Sequence, residues 1–132
     1  MLKITGFVLV LLMALLQAFY AFYAFVDPTA FAEIRGTELF SSQDADWVRI
    51  YGSRTLFVAL IIGVLLYLRN YTLLIFAALI GMVMPAADAW LAFQANAADV
   101  VVGKHLATIL YLGVTCSVLV AIRRRESRAL AK

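Results

Sequence analysis

Residues 71–93 read YTLLIFAALIGMVMPAADAWLAF, and this stretch decides the fold. It is long enough to cross a membrane as a helix, which takes about 20 mostly apolar residues. Its outer part carries Pro85, then Asp88, then Trp90. Pro85 has no amide hydrogen for the Gly81 carbonyl, so that oxygen needs another donor or water. Gly81, Pro85 and Asp88 are spaced i, i+4, i+7 and share one stripe of the helix. The stretch therefore poses a question: Asp88 either marks where the membrane ends or belongs to a polar site inside it.

The rest of the chain has the same character. Of its 132 residues, 65% are hydrophobic and 14% charged, against roughly 45–50% and about 25% in soluble domains. Three more segments reach spanning length, giving four spans at about Ile4–Val26, Trp47–Leu68, Tyr71–Phe93 and Val100–Ile122. The first span has a signal-peptide look, with Lys3 ahead of it and Ala30-Phe31-Ala32 after it. Its apolar run is longer than an ordinary signal core, so it reads as a retained helix. The expected fold class is an all-α membrane protein, a single-domain four-transmembrane-helix bundle over residues 1–132.

Basic residues set the orientation. Lys3, Arg69, Arg123, Arg124, Arg125, Arg128 and Lys132 lie at one set of span ends, and only Arg35, Arg49, Arg54 and Lys104 toward the other. Acidic residues divide the opposite way: Glu126 alone joins the first set. Both termini and the Arg69-Asn70 turn are therefore expected in the cytoplasm of a plasma-membrane protein, with the 27–46 loop outside. Arg123-Arg124-Arg125 reads as a stop-transfer anchor that can also touch anionic lipid. The +3 net charge is no nucleic-acid signal, because the basic residues flank an apolar segment. Cys116 is the single cysteine, a small packing residue, and no Cys/His set has zinc-ligand spacing. No cofactor and no metal is implied.

Local signals punctuate the loops. Asp27-Pro28 reads as the N-cap and first residue of a short helix that Gly36 stops. Phe31, Ile34, Leu39 and Phe40 give that loop an apolar side. Ser42 is a candidate N-cap for the second span. Asn96 with Asp99 resembles a capping box for the fourth. The turn at Arg69-Asn70 is so short that spans two and three must be antiparallel neighbours.

Ionisable groups inside a span cost at least about 2.5–3.5 kcal/mol each and mostly face a bundle interior or water. Arg54, Asp88 and His105 qualify. Counted from the cytoplasmic boundary at about 1.5 Å per residue, they lie about 22, 26 and 27 Å up. Tyr20 falls in the same layer, Tyr23 slightly above it and Gln17 slightly below. Thr108 shares a side of span four with His105. Arg54 with Asp88 reads first as a structural ion pair, and second as a clamp on a ligand's anionic or carbonyl group. His105 reads as an interfacial histidine, or as an acid–base group acting with Asp88.

Tyr51-Gly52-Ser53-Arg54, Pro85-Ala86-Ala87-Asp88 and Gly103-Lys104-His105 resemble small bacterial four-helix membrane proteins of unassigned function, loosely similar to the DoxX-like group. The resemblance implies a compact four-helix bundle and brings no catalytic role to any of these residues.

The function expected from these residues is binding of a small amphiphile, such as a lipid, quinone or isoprenoid, in a polar pocket of the outer leaflet. Arg54, Asp88, His105, Tyr20, Tyr23, Gln17 and Thr108 would bind it, and His105 with Asp88 would carry any acid–base chemistry. The partners are membrane lipids and that amphiphile, and a homo-oligomer or larger membrane complex is the assembly to consider. The rival reading is an accessory subunit of such a complex with no chemistry. A small transporter ranks behind both, because no charged residue lies at the midplane.

Overall fold

The computed structural model describes residues 1–37, 39 and 41–130. Glu38, Phe40 and Lys132, which entered the charge and loop readings, lie outside the described residues, as does the side chain of the candidate cap Ser42. Among the described residues every regular element is helical. In chain order these are α1 (Leu2–Val26), α2 (Pro28–Arg35), a 3₁₀ turn at Ser42–Asp44, α3 (Ala45–Tyr67), α4 (Tyr71–Gly81), α5 (Val83–Gln94) and α6 (Asp99–Leu130). Four spans are long and apolar enough to cross a membrane: α1, α3, α4 together with α5, and α6. The chain is thus an all-α, multi-pass membrane protein.

The inner and outer surfaces follow from lipid as solvent. Large apolar side chains such as Phe7, Phe22, Phe57, Phe76 and Leu110 are exposed. Lipid tails are as apolar as these groups, so helices associate through close packing and hydrogen bonds instead. α1 accordingly buries small residues: Gly6, Val10, Ala14, Ala21 and Ala24. α3 answers with Gly52, Thr55 and Ala59, and α1 with α3 is the most extensively packed pair. A Cβ built on Gly52 would come within 3.0 Å of the Ala24 Cβ and 3.2 Å of the Ala21 carbonyl oxygen. On the other flank of α1, Tyr111 of α6 donates its hydroxyl hydrogen to the Leu9 carbonyl.

The second close association joins α4 and α5 to α6. The main apolar core, which includes Val10, Ile62, Leu66, Leu74, Leu112 and Leu119, lies toward the Arg69 and Arg123 end, called here the basic end. The opposite end, marked by Trp47 and Trp90, is the loop end. There α3 and α5 run side by side almost without contact, and this seam shapes the site.

The caps act as local chemistry dictates. The Ala30 amide donates to the Asp27 carboxylate at 3.0 Å, and Pro28 starts α2. Gly36 closes α2 at φ 86°, and a Cβ there would also lie 2.7 Å from Val101. Arg69 takes a left-handed φ of 51°, and the Asn70 side chain then accepts from the Leu73 amide at 3.1 Å to start α4.

Two expectations are corrected. Asn96 does not form a capping box; it has φ 53° and ends α5. Its amide donates to the Phe93 carbonyl at 3.1 Å, and the Ala97 amide to Ala92 at 3.0 Å. Asparagine tolerates the left-handed conformation that such a helix stop requires. The third span is interrupted at Met82, before Pro85, where the Met82 amide donates to Leu79 at 3.3 Å. Pro85 then occupies the first turn of α5, where a missing amide hydrogen costs nothing. The ring's clash with the carbonyl four residues back accounts for the displacement of the break to Gly81–Met82.

The glycines separate into those that packing requires and those it does not. Gly52→Val is expected to lower the melting temperature in detergent by several degrees, because it wedges α1 from α3. Gly63 has nothing within 4 Å of an added Cβ, so Gly63→Ala gains helix propensity, up to about 1 kcal/mol. Thermal unfolding of both variants in one detergent checks the contrast, and an equal loss would contradict this account of the interface.

Candidate functional site

The site is built by α2, the short helix between Asp27 and Gly36. Phe31 and Ala32 on α2 are buried. The Phe31 ring meets Tyr20 edge-on at 5.9 Å and Tyr23 at 6.0 Å, and lies 5.6 Å from the Tyr51 ring. These aromatic contacts seat α2 on α1 and α3. Arg35 is four residues on, one helical turn along the same face. Its guanidinium carbon lies 5.5 Å from the Tyr20 ring centroid and 5.6 Å from that of Tyr51. One of its nitrogens donates to the Asp88 carboxylate. The two side chains are only 14% and 27% exposed. Beside them, Lys104 of α6 donates to the Ile34 carbonyl. The short helix is thus tied to α1, α3, α5 and α6.

The cation that answers Asp88 is therefore Arg35, not Arg54. Buried Gly52, Thr55 and Ala59 point α3 inward, and two residues beyond Gly52 is about 200° around the helix. Arg54 consequently faces out and is exposed. Its long stem lets the charge reach toward the loop-end interface, as arginines near span ends do. Depth counting along spans could not find Arg35, because a residue in a loop has no span depth. The signal was there in Phe31 and Arg35, an i, i+4 pair between an N-cap and a stop.

The remaining predicted residues divide into two layers. Asp88, Tyr20, Tyr23 and His105 meet around α2. His105 is 2% exposed. Its Nε2 is the one buried side-chain nitrogen or oxygen without a hydrogen-bond partner among the described residues. Gln17 and Thr108 lie deeper, and Thr108 donates its hydroxyl hydrogen to the Lys104 carbonyl at 2.9 Å.

Two cavities follow the open seam between α3 and α5. A vestibule of about 360 Å³ at the loop end is lined by Phe31, Arg35, Trp47, Tyr51, Asp88 and Leu91, among others. Below it lies a cavity of about 450 Å³ whose lining includes Phe57, Gly81, Met84 and Pro85, with Gln17, Thr108 and Tyr111 at its back. Along α3 the lining passes from Tyr51 to Phe57; along α5 it passes from Asp88 to Pro85. The seam thus carries Arg35, Tyr51 and Asp88 among apolar residues at the top and is almost wholly apolar beneath. His105 lines neither cavity. Among the described residues no three His, Cys, Asp or Glu side chains gather as metal ligands do.

A double-mutant cycle reads the coupling of the Arg35–Asp88 pair. Arg35→Met and Asp88→Leu are each expected to cost about 2–3 kcal/mol by stranding a part-buried charge, and the double variant less than their sum. Arg54→Met is expected to cost under about 0.5 kcal/mol. Unfolding in a single detergent measures all four, and additive losses would mean that the charges do not sense each other.

The chain belongs to the family described as a domain of unknown function, DUF4267, whose model matches residues 14–119. No comparison links it to the DoxX-like group. Neither the curated proteins nor the solved structures include a match.

Proposed function

We propose that this family member holds one amphiphilic molecule in the seam between α3 and α5, with its tail in the lower cavity and its headgroup in the vestibule. The observation that carries this reading is the stacking of the two cavities along one pair of helices that barely touch. In lipid an apolar opening of this kind is filled by hydrocarbon. A chamber above it that adds Arg35, Tyr51 and Asp88 to apolar walls favours a molecule with both parts.

The vestibule also bears on the class of headgroup. Arg35 is already matched by Asp88 and flanked by two tyrosine rings. A charged headgroup would have to break that pair, whereas a neutral carbonyl or hydroxyl would not. The ligand is therefore a neutral-headed amphiphile, of the kind exemplified by a quinone or an isoprenoid alcohol. Binding is the role supported here. Acid–base chemistry by His105 lacks support, since the imidazole lines neither cavity.

The charge asymmetry supports a cytoplasmic basic end, which would place the vestibule in the outer leaflet of the plasma membrane. In a Cys116→Ala background, a cysteine at Asn96 is expected to react with an impermeant maleimide from outside the cell. A cysteine at Arg128 is expected to react only after permeabilisation. The reverse pattern would invert the assignment.

Gly81 offers a direct test of binding. It lines the lower cavity, and a Cβ there meets nothing within 4 Å. Gly81→Leu should therefore occupy tail space without straining the bundle. Native mass spectrometry of the gently extracted protein is expected to find a neutral-headed amphiphile on the unaltered chain. The variant should retain about tenfold less, equivalent to roughly 1.4 kcal/mol, at an unchanged melting temperature. A chain that carries no amphiphile, or carries a second polypeptide in its place, would end this reading in favour of an accessory subunit.

A further inference from the structure

The basic end carries a further cavity, remote from the seam. It measures about 530 Å³ and is lined by Ile75 of α4 with Val120, Arg123, Arg124, Ser127 and Arg128 of α6. The α6 residues follow the i, i+3, i+4, i+7, i+8 spacing of one helical stripe. Arg125 lies off that stripe and does not line the groove. All four arginines are exposed.

Among the described residues, the charge of this groove has no internal answer. Of the eight Asp and Glu residues in the chain, only Glu126 lies here, and it is held by Lys3 at 2.6 Å. The groove therefore presents three guanidinium groups to its surroundings without a carboxylate among them. Their planar forks suit phosphate oxygens. The Lys3–Glu126 pair sets this part of α6 level with the start of α1, at the depth where lipid headgroups begin. Ile75 and Val120 give the groove an apolar floor toward the membrane.

We propose that this groove is a binding site for an anionic phospholipid, with its phosphate among Arg123, Arg124 and Arg128 and its first acyl carbons against Ile75 and Val120. The apolar floor favours a phospholipid over a free anion, which has no use for it. The site needs nothing from the seam above and stands or falls independently of it.

The test uses the full chain, delipidated and incubated with detergent micelles containing either phosphatidylglycerol or phosphatidylcholine, and read by native mass spectrometry. Phosphatidylglycerol adducts are expected to dominate. Arg124→Gln should reduce them about tenfold, the scale of one charge-assisted hydrogen bond. Arg125→Gln removes the same charge outside the groove and should reduce them less than about twofold. Arg128→Gln repeats the first substitution independently, should Arg124→Gln fail to fold. Equal losses from the groove and off-groove variants would reveal diffuse surface charge and overturn the proposal. So would equal retention of the two lipids, or displacement of phosphatidylglycerol by millimolar inorganic phosphate.

Discussion

A carboxylate near the end of a spanning helix needs a cation within reach, and the loop end of this protein is organised by how that need is met. Asp88 receives its cation from Arg35, which comes from outside the four spans. To deliver it, residues 27–36 must fold as a helix and lie down on the bundle. Phe31 makes that position favourable by entering the gap among Tyr20, Tyr23 and Tyr51. Two of those tyrosines also present ring faces to the guanidinium. One charge requirement thus fixes the position of α2, and α2 in turn roofs the vestibule.

The lower half of the molecule obeys a different rule. There the constraint is close approach of helices, supplied by Gly6, whose added Cβ would lie 2.6 Å from the Ile122 side chain, and by Ala14 and Ala78 within the apolar core. Close packing is strongest within α1 with α3, and within α4 and α5 with α6. The break at Met82 separates the two regimes along the third span. α4 joins the apolar core through Leu74, Ile75 and Ala78, while α5 carries Asp88 to the polar end.

Much of this was legible in the residues. Spanning lengths, the Asp27-Pro28 start, the Gly36 stop and the tight turn at Arg69 all rest on local chemistry, and local chemistry survives folding. The choice of Arg54 as the partner of Asp88 did not survive. Depth along a span is one coordinate, while direction around the helix axis is another, and Arg54 shares the first with Asp88 but not the second. The direction was encoded too, in Gly52, Thr55 and Ala59, which mark the inward face of α3. The seam between α3 and α5 was not legible, because the absence of a contact leaves no pattern in the sequence. Pro85 marked the Gly81 carbonyl as lacking its usual donor, and the helix breaks at that carbonyl, one turn before the proline.

The scarcity of contact between α3 and α5 bears on what counts as the protein's interior. A soluble protein with such a gap would lose packing energy or admit water. In a bilayer, chains from the surrounding solvent can enter the gap and touch Phe57, Met84 and Leu112 as side chains would. The bilayer then acts as a lender of core residues. Chain length, unsaturation and lateral pressure become variables of the folded state, and the same sequence has as many effective cores as there are membranes to fold in.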